Sequence, residues 1–194
     1  MFESYDLAFP MQSADPELMD LSAESEETFK LYGIGEKDTD EFGRMCLMAR
    51  RFAESGVRFI ELTHEGWDQH NNLQARLTTN CRQTDQPMAA LLADLKRLGM
   101  LKDTLIVWSG EFGRTPAVRN SDGRDHNSTG FSTWMAGGGV KGGLRYGATD
   151  EVGFHAVELR HYITDVHARV LRQLGLDARK LEVPGRKRLE IDFG

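Results

Sequence analysis

The chain has 194 residues, 40% hydrophobic and 28% charged, a globular balance that argues against long disordered stretches. Its net charge of −6 speaks against a nucleic-acid surface, and no run reaches the roughly 18 apolar residues of a membrane span. Two cysteines are too few for a disulfide framework or a thiolate metal site.

Residues 1–40 are polar and irregular, with Pro10, Pro16 and Gly33-Ile34-Gly35. The opening Met1-Phe2-Glu3-Ser4-Tyr5-Asp6 lacks the basic and apolar regions of a signal peptide. Short helical turns are expected around Pro16 to Leu21 and Ser25 to Leu31. After Asp40 a firmer helix is predicted, because Phe42, Met45, Cys46, Ala49, Phe52 and Ala53 recur at i, i+3, i+4 spacing. Cys46 then reads as a buried thiol, and Gly56 as the helix stop. Val57 to Leu62 alternates and predicts a strand ending in the polar loop Thr63 to His70. Asn72 to Leu98 reads as helix, in one or two parts, because Pro87 could open a second helix capped by Thr84 or Asp85. Its apolar face is Met88, Leu91, Leu92, Leu95 and Leu98, and Gly99 ends it.

Leu105 to Trp108 predicts a buried strand, and Phe131 to Ala136 a second apolar run before Gly137-Gly138-Gly139. Val140 to Glu158 is glycine-rich and loop-like. Asp165 to Leu174 is the last helix, and residues 178–194 are expected to add an edge strand or hairpin. The basic cluster Arg179, Lys180, Arg186, Lys187 and Arg188 reads as a solvated tail. Alternating helices and strands predict an α/β fold with a mostly parallel sheet flanked by helices, residues 1–194 forming a single domain with an irregular helical lead-in over 1–40.

Three loops carry groups capable of chemistry. In Asp68-Gln69-His70, with His64 and Glu65 just before, residues i and i+2 of an extended segment face the same side. Asp68 and His70 are therefore candidate ligands for one ion, a carboxylate–imidazole pair suited to zinc, manganese or iron. The alternative is a surface loop whose Asp caps the next helix. Glu111 follows the Leu105–Trp108 strand, where an unpaired carboxylate is costly, and calls for Arg114, a metal or water. Arg114 can also hold an anionic oxygen with its fork of donors. In Gly123-Arg124-Asp125-His126-Asn127, adjacent Asp125 and His126 point opposite ways. Either His126 ligates while Asp125 orients a neighbour, or each serves its own ion, or the segment is a plain Asp–Gly turn. His155, His161 and His167 are weaker candidates, and His167 reads as a partly buried structural residue. No GxSxG elbow, P-loop or strand-borne GxGxxG is present.

Taken together, Tyr5-Asp6-Leu7-Ala8-Phe9, Leu31-Tyr32-Gly33-Ile34-Gly35, Gly66-Trp67-Asp68-Gln69-His70, Gly110-Glu111-Phe112-Gly113-Arg114-Thr115-Pro116, Gly123-Arg124-Asp125-His126-Asn127, Trp134-Met135-Ala136-Gly137-Gly138-Gly139 and Asp165-Val166-His167-Ala168 resemble the domain-of-unknown-function 1501 family. That family is sulfatase-like and belongs to the alkaline phosphatase superfamily. The resemblance implies a partial alkaline phosphatase-like fold, corresponding to the C-terminal part of a larger domain. It implies that Asp68, His70, Glu111 and His126 bind a divalent metal ion, zinc ahead of calcium, manganese or magnesium. Phe112 stands where the phosphatase pattern has a second His ligand, which leaves Asp125 as the donor for any second ion. The implied substrates are small phosphate or sulfate esters, with Arg114 on the anionic oxygens. The superfamily's nucleophile, next to a metal-binding Asp, has no match in the sequence and is expected in a missing N-terminal half. Members of the family often look exported, which suggests a bacterial periplasmic setting. The alternative is a non-catalytic metal-containing binding or structural module.

Overall fold

The computed structural model describes residues 18–118 and 121–182. The Tyr5–Phe9 motif, the first part of the turn expected at Pro16 to Leu21, and the strand or hairpin expected toward residue 194 lie outside these residues, apart from 178–182. The chain divides into two compact units, residues 1–100 and 101–194, each with its own apolar cluster.

In the N-terminal unit, α1 spans Glu26–Tyr32, α2 Asp40–Glu54 and α3 Leu73–Arg97. The first helix starts where Ser25 Oγ accepts the Thr28 N–H at 3.1 Å, satisfying a donor that has no partner within the helix. Along α2, Phe42, Cys46, Leu47 and Ala49 fall on the buried face. It stops at Gly56, whose φ of 83° is strained for residues with a Cβ. There the Gly56 N–H reaches the Ala53 carbonyl and the Val57 N–H reaches Phe52, the paired bonds of a Schellman stop. The third helix runs unbroken through Pro87, which settles the choice between one helix and two. Its buried face is more polar than its leucines suggest: Asn80, Thr84 and Asp94 lie inside with Pro87, Ala90 and Leu95.

Tyr32, Cys46 and Leu47 are almost wholly buried and pack with Leu21, Phe42 and Ala90. Full burial of a leucine such as Leu47 contributes about 1.5–3 kcal/mol. Burial also pushes the Cys46 thiol up to about 12. Beside this apolar cluster lies an ionic one. Asp94, 2% exposed, accepts from the Tyr32 hydroxyl at 3.1 Å and from Arg97 Nη2 at 2.7 Å, and its Oδ2 lies 3.3 Å from Arg50 Nε. Arg50 donates in turn to Glu24 at 2.6 Å and to Glu54, and Arg51 shares Glu24 at 3.1 Å. Desolvation disfavours the Arg50 charge, but its bonds to Glu24 and Glu54 prevail and hold its pKa above the ordinary value. Burial, then the Asp94 charge, drives the Tyr32 phenol pKa far above its usual range.

In the C-terminal unit, β1 (Leu105–Trp108) pairs antiparallel with β4 (Trp134–Gly137), and the Trp108 and Trp134 rings stack with centroids 6.3 Å apart. The short strands β2 (Gly113–Arg114) and β3 (His126–Asn127) pair antiparallel, as do β5 (Ala148–Thr149) and β6 (Ala156–Glu158). The last helix, α4 (Ile163–Gln173), is capped by the Asp165 carboxylate, which accepts the Tyr162 N–H at 2.8 Å. A 3-10 turn at Ala178–Lys180 closes on it, burying Ala168 and Ala178 against Leu171.

Three sequence expectations differ from what is observed. Every strand pairing among the described residues is antiparallel, whereas the alternation of elements predicts a mostly parallel sheet. The β1 strand is only half covered, with Val107 38% and Trp108 40% exposed, because a two-stranded ribbon shields little of either face. Val57 to Leu62 forms no ladder, because the N-terminal unit offers it no second strand among the described residues. Leu62 instead packs on the helical core, while Phe59 is 72% exposed.

Two outcomes follow from this core. Asp94→Ala leaves the Tyr32 hydroxyl without its acceptor and takes the carboxylate away from Arg50 Nε and Arg97, and should cost about 2 kcal/mol or more in urea unfolding. Tyr32→Phe removes one hydrogen bond and should cost about 1 kcal/mol. An Asp94→Ala cost no larger than that of Tyr32→Phe contradicts the network. At pH 8, Cys46 should react with a thiol reagent no faster than the unit opens, and the half-buried Cys81 much faster. Equal rates would contradict the burial of Cys46.

Candidate functional site

The loop before α3 alternates in burial and turns tightly at Asp68, where the Gln69 N–H reaches the Trp67 carbonyl. Gln69 is buried and Trp67 half-buried, while Asp68 and His70 are exposed. The two exposed residues meet: His70 Nε2 lies 3.1 Å from Asp68 Oδ1. Ligands about 2.0–2.1 Å from a tetrahedral zinc sit about 3.3 Å from each other, so a carboxylate and an imidazole at this separation fit two corners of such an ion. Asp68 is not the residue that caps α3, since the cap position is Asn72.

His64, also ligand-type in the sequence, is engaged elsewhere. Trp67 Nε1 donates to its Nδ1 at 3.0 Å, and its Nε2 lies 3.2 Å from Gln83 Oε1. The Phe42 ring meets it edge-on, with centroids 5.3 Å apart. Both ring nitrogens are therefore used inside the fold.

In the C-terminal unit, the β2–β3 pairing sets Arg114 opposite His126. Directly opposed residues of an antiparallel pair share a face. Phe112 packs on the His126 ring with centroids 4.4 Å apart, and the Arg114 guanidinium lies 5.3 Å from the Phe112 centroid. Glu111 is exposed rather than buried after its strand, and its Oε1 lies 3.4 Å from Arg114 Nη2. The ion pair allowed by the sequence is thus formed, in a geometry that solvent weakens. The Asp125 backbone is fixed by two bonds to Thr115, its N–H to Oγ1 at 3.0 Å and its carbonyl from the Thr115 N–H at 2.9 Å. Arg114 and His126 thus gather around Phe112, with Glu111 beside Arg114, and Asp125 immediately precedes His126 in the chain.

Asn127, the last residue of the Gly123–Asn127 motif, has a structural role that its position after Asp-His does not signal. It is 5% exposed, donates to the Phe154 carbonyl at 2.7 Å, and accepts from the Thr129 N–H and hydroxyl at 3.1 and 2.7 Å. These bonds fasten the segment after His126. His161 lies 3.3 Å from Asp165 Oδ2 on the surface. His167 is exposed, not partly buried as its helix position suggests.

Two loops, one in each unit, thus present carboxylate and imidazole groups. The chain belongs to the family described as "Protein of unknown function (DUF1501)", whose model matches residues 1–190. No curated protein and no solved structure matches the chain.

A Cβ at Gly113 would run into the Gly130 carbonyl oxygen. Gly113→Ala should therefore force β2 off its seat and lower stability by about 1–3 kcal/mol. Thermal melting measures this, and an unchanged melting temperature would show the contact to be loose.

Proposed function

We propose that this chain is a metal-dependent hydrolase-like domain of the alkaline phosphatase superfamily, directed at small phosphate or sulfate esters. The observation that carries the reading is the Asp68–His70 pair, two exposed donors 3.1 Å apart on one side of a loop. Glu111, Asp125 and His126 are the donors the C-terminal unit offers. The superfamily placement and its α/β fold rest on the motifs quoted above. Among the described residues, helices and small antiparallel sheets form a mixed α/β content.

A bound divalent ion, zinc first among candidates, supplies Lewis acidity toward an ester oxygen. The chain's own residues do the rest. Asp68 and His70 hold the cation. Arg114 presents a planar fork of donors to an anionic non-bridging oxygen, which balances charge that builds on the ester group. Its pairing with exposed Glu111 is weak enough to exchange for such an anion. No segment of this sequence matches the superfamily's nucleophile, so the isolated chain is expected to bind metal but not to turn over ester.

The test is metal content after purification without chelator, with thermal shift in zinc, manganese, magnesium and calcium. A ligand at 100 times its Kd stabilises by about 2.7 kcal/mol, which is read as a clear rise in Tm. Asp68→Ala and His70→Ala should abolish that rise; Glu111→Gln and His126→Ala should reduce it. Wild-type protein with neither metal nor shift would sink the reading. Metal binding that persists without any ester hydrolysis, even when an upstream segment bearing an Asp and a Ser or Thr is supplied, points to a non-catalytic metal module instead.

A further inference from the structure

The loop bearing Asp68 and His70 is held by an inner row of side chains. An indole N–H only donates, so the Trp67 bond makes His64 Nδ1 an acceptor. The neutral ring's single proton then sits on Nε2 and is given to Gln83 Oε1 on α3. The partners on either side thus fix the tautomer. Phe42, from α2, supports the same ring from its edge. Gln69 completes the inner row: its Nε2 donates to the Gly66 carbonyl at 2.9 Å, and its backbone N–H to the Trp67 carbonyl at 3.1 Å.

We propose that His64 is a positioning residue for the Asp68–His70 pair. Its two ring nitrogens tie Trp67 to Gln83, and so fasten the loop to α3. With Trp67 and Gln69 fixed inward, Asp68 and His70 are left exposed, and their ligand atoms meet 3.1 Å apart. Releasing Trp67 frees the segment to rotate, and the two donors lose their common direction. The role in metal binding rests on the function proposed above, but the clamp exists with or without an ion.

Three substitutions separate these statements. His64→Leu removes both bonds. Trp67→Phe keeps an aromatic ring and removes only the donor. His64→Asn places an amide oxygen near the site of Nδ1 and keeps an acceptor for Trp67. Hydrogen exchange of residues 64–70 is read first, in metal-free protein, with α2 as the internal control. Zinc affinity is read second, by competition with a chelator.

The expected result is exchange across 64–70 at least tenfold faster in His64→Leu and Trp67→Phe, with α2 unchanged. Zinc affinity should fall about tenfold in both, as when a ligand loses an orienting partner. His64→Asn should recover most of both losses. Unchanged exchange in Trp67→Phe overturns the clamp, and this variant decides the matter if His64→Leu fails to fold. Full zinc affinity in variants with fast exchange overturns the positioning role. A wild type that shows the exchange pattern but binds no zinc removes the metal function and leaves the clamp standing.

Discussion

The N-terminal unit depends on one buried carboxylate. Asp94 lies inside α3, and the groups that satisfy it come from three helices: Tyr32 from α1, Arg50 from α2 and Arg97 from its own turn. A charge so buried is tolerable only when paired and hydrogen-bonded. The same requirement fixes the register of the helices, because sliding α2 by a turn withdraws Arg50 from Asp94 and Glu24 together, while Glu54, on the same helix, moves with it. Apolar contacts alone would not discriminate so sharply, since a leucine slides past another at little cost. The ionic cluster therefore selects one packing more than it adds stability, in keeping with how buried ion pairs behave when weighed against their desolvation.

This matters most for α1. Seven residues are too few for an independent helix, since nucleation alone is unfavourable. The helix is held at its C-terminus instead. Gln86 Nε2 donates to the Lys30 and Leu31 carbonyls, Thr39 Oγ1 donates to the Gly33 carbonyl, and the Tyr32 hydroxyl donates to Asp94. Carbonyls left open by a short helix are thus closed by side chains from distant positions. Gln86 and Asp94 lie on α3, whose N-terminal half also carries Gln83, the acceptor for His64. One long helix therefore seats both α1 and the loop with Asp68 and His70.

Local features of the sequence were legible because they have local causes. The stop at Gly56 and the pairing of Asp68 with His70 follow from rules that span four residues or fewer. Buried Cys46 follows from helical periodicity. The polar interior was not legible: Arg50 and Asp94 look like ordinary exposed residues of amphipathic helices, and Glu24 and Tyr32, which meet them inside, lie far along the chain. The alternation in Val57 to Leu62 misled for a related reason. Alternation describes a backbone that suits a strand, but a strand exists only when a neighbour supplies the ladder. Burial of Leu105 to Trp108 was over-read in the same way, because apolar composition shows that a strand wants cover without showing what covers it.

The β2–β3 hairpin shows how the same limits bear on chemistry. Phe112 offers no donor atom, and its ring lies tilted by 41° against the His126 imidazole, with centroids 4.4 Å apart. That contact limits rotation of the imidazole. Arg114 adds a fixed positive charge beside the same ring. A cation near this cluster meets repulsion from the guanidinium, whereas an anionic oxygen meets attraction. The always-charged arginine thus tilts the local balance of this hairpin toward anions, whatever its carboxylates add.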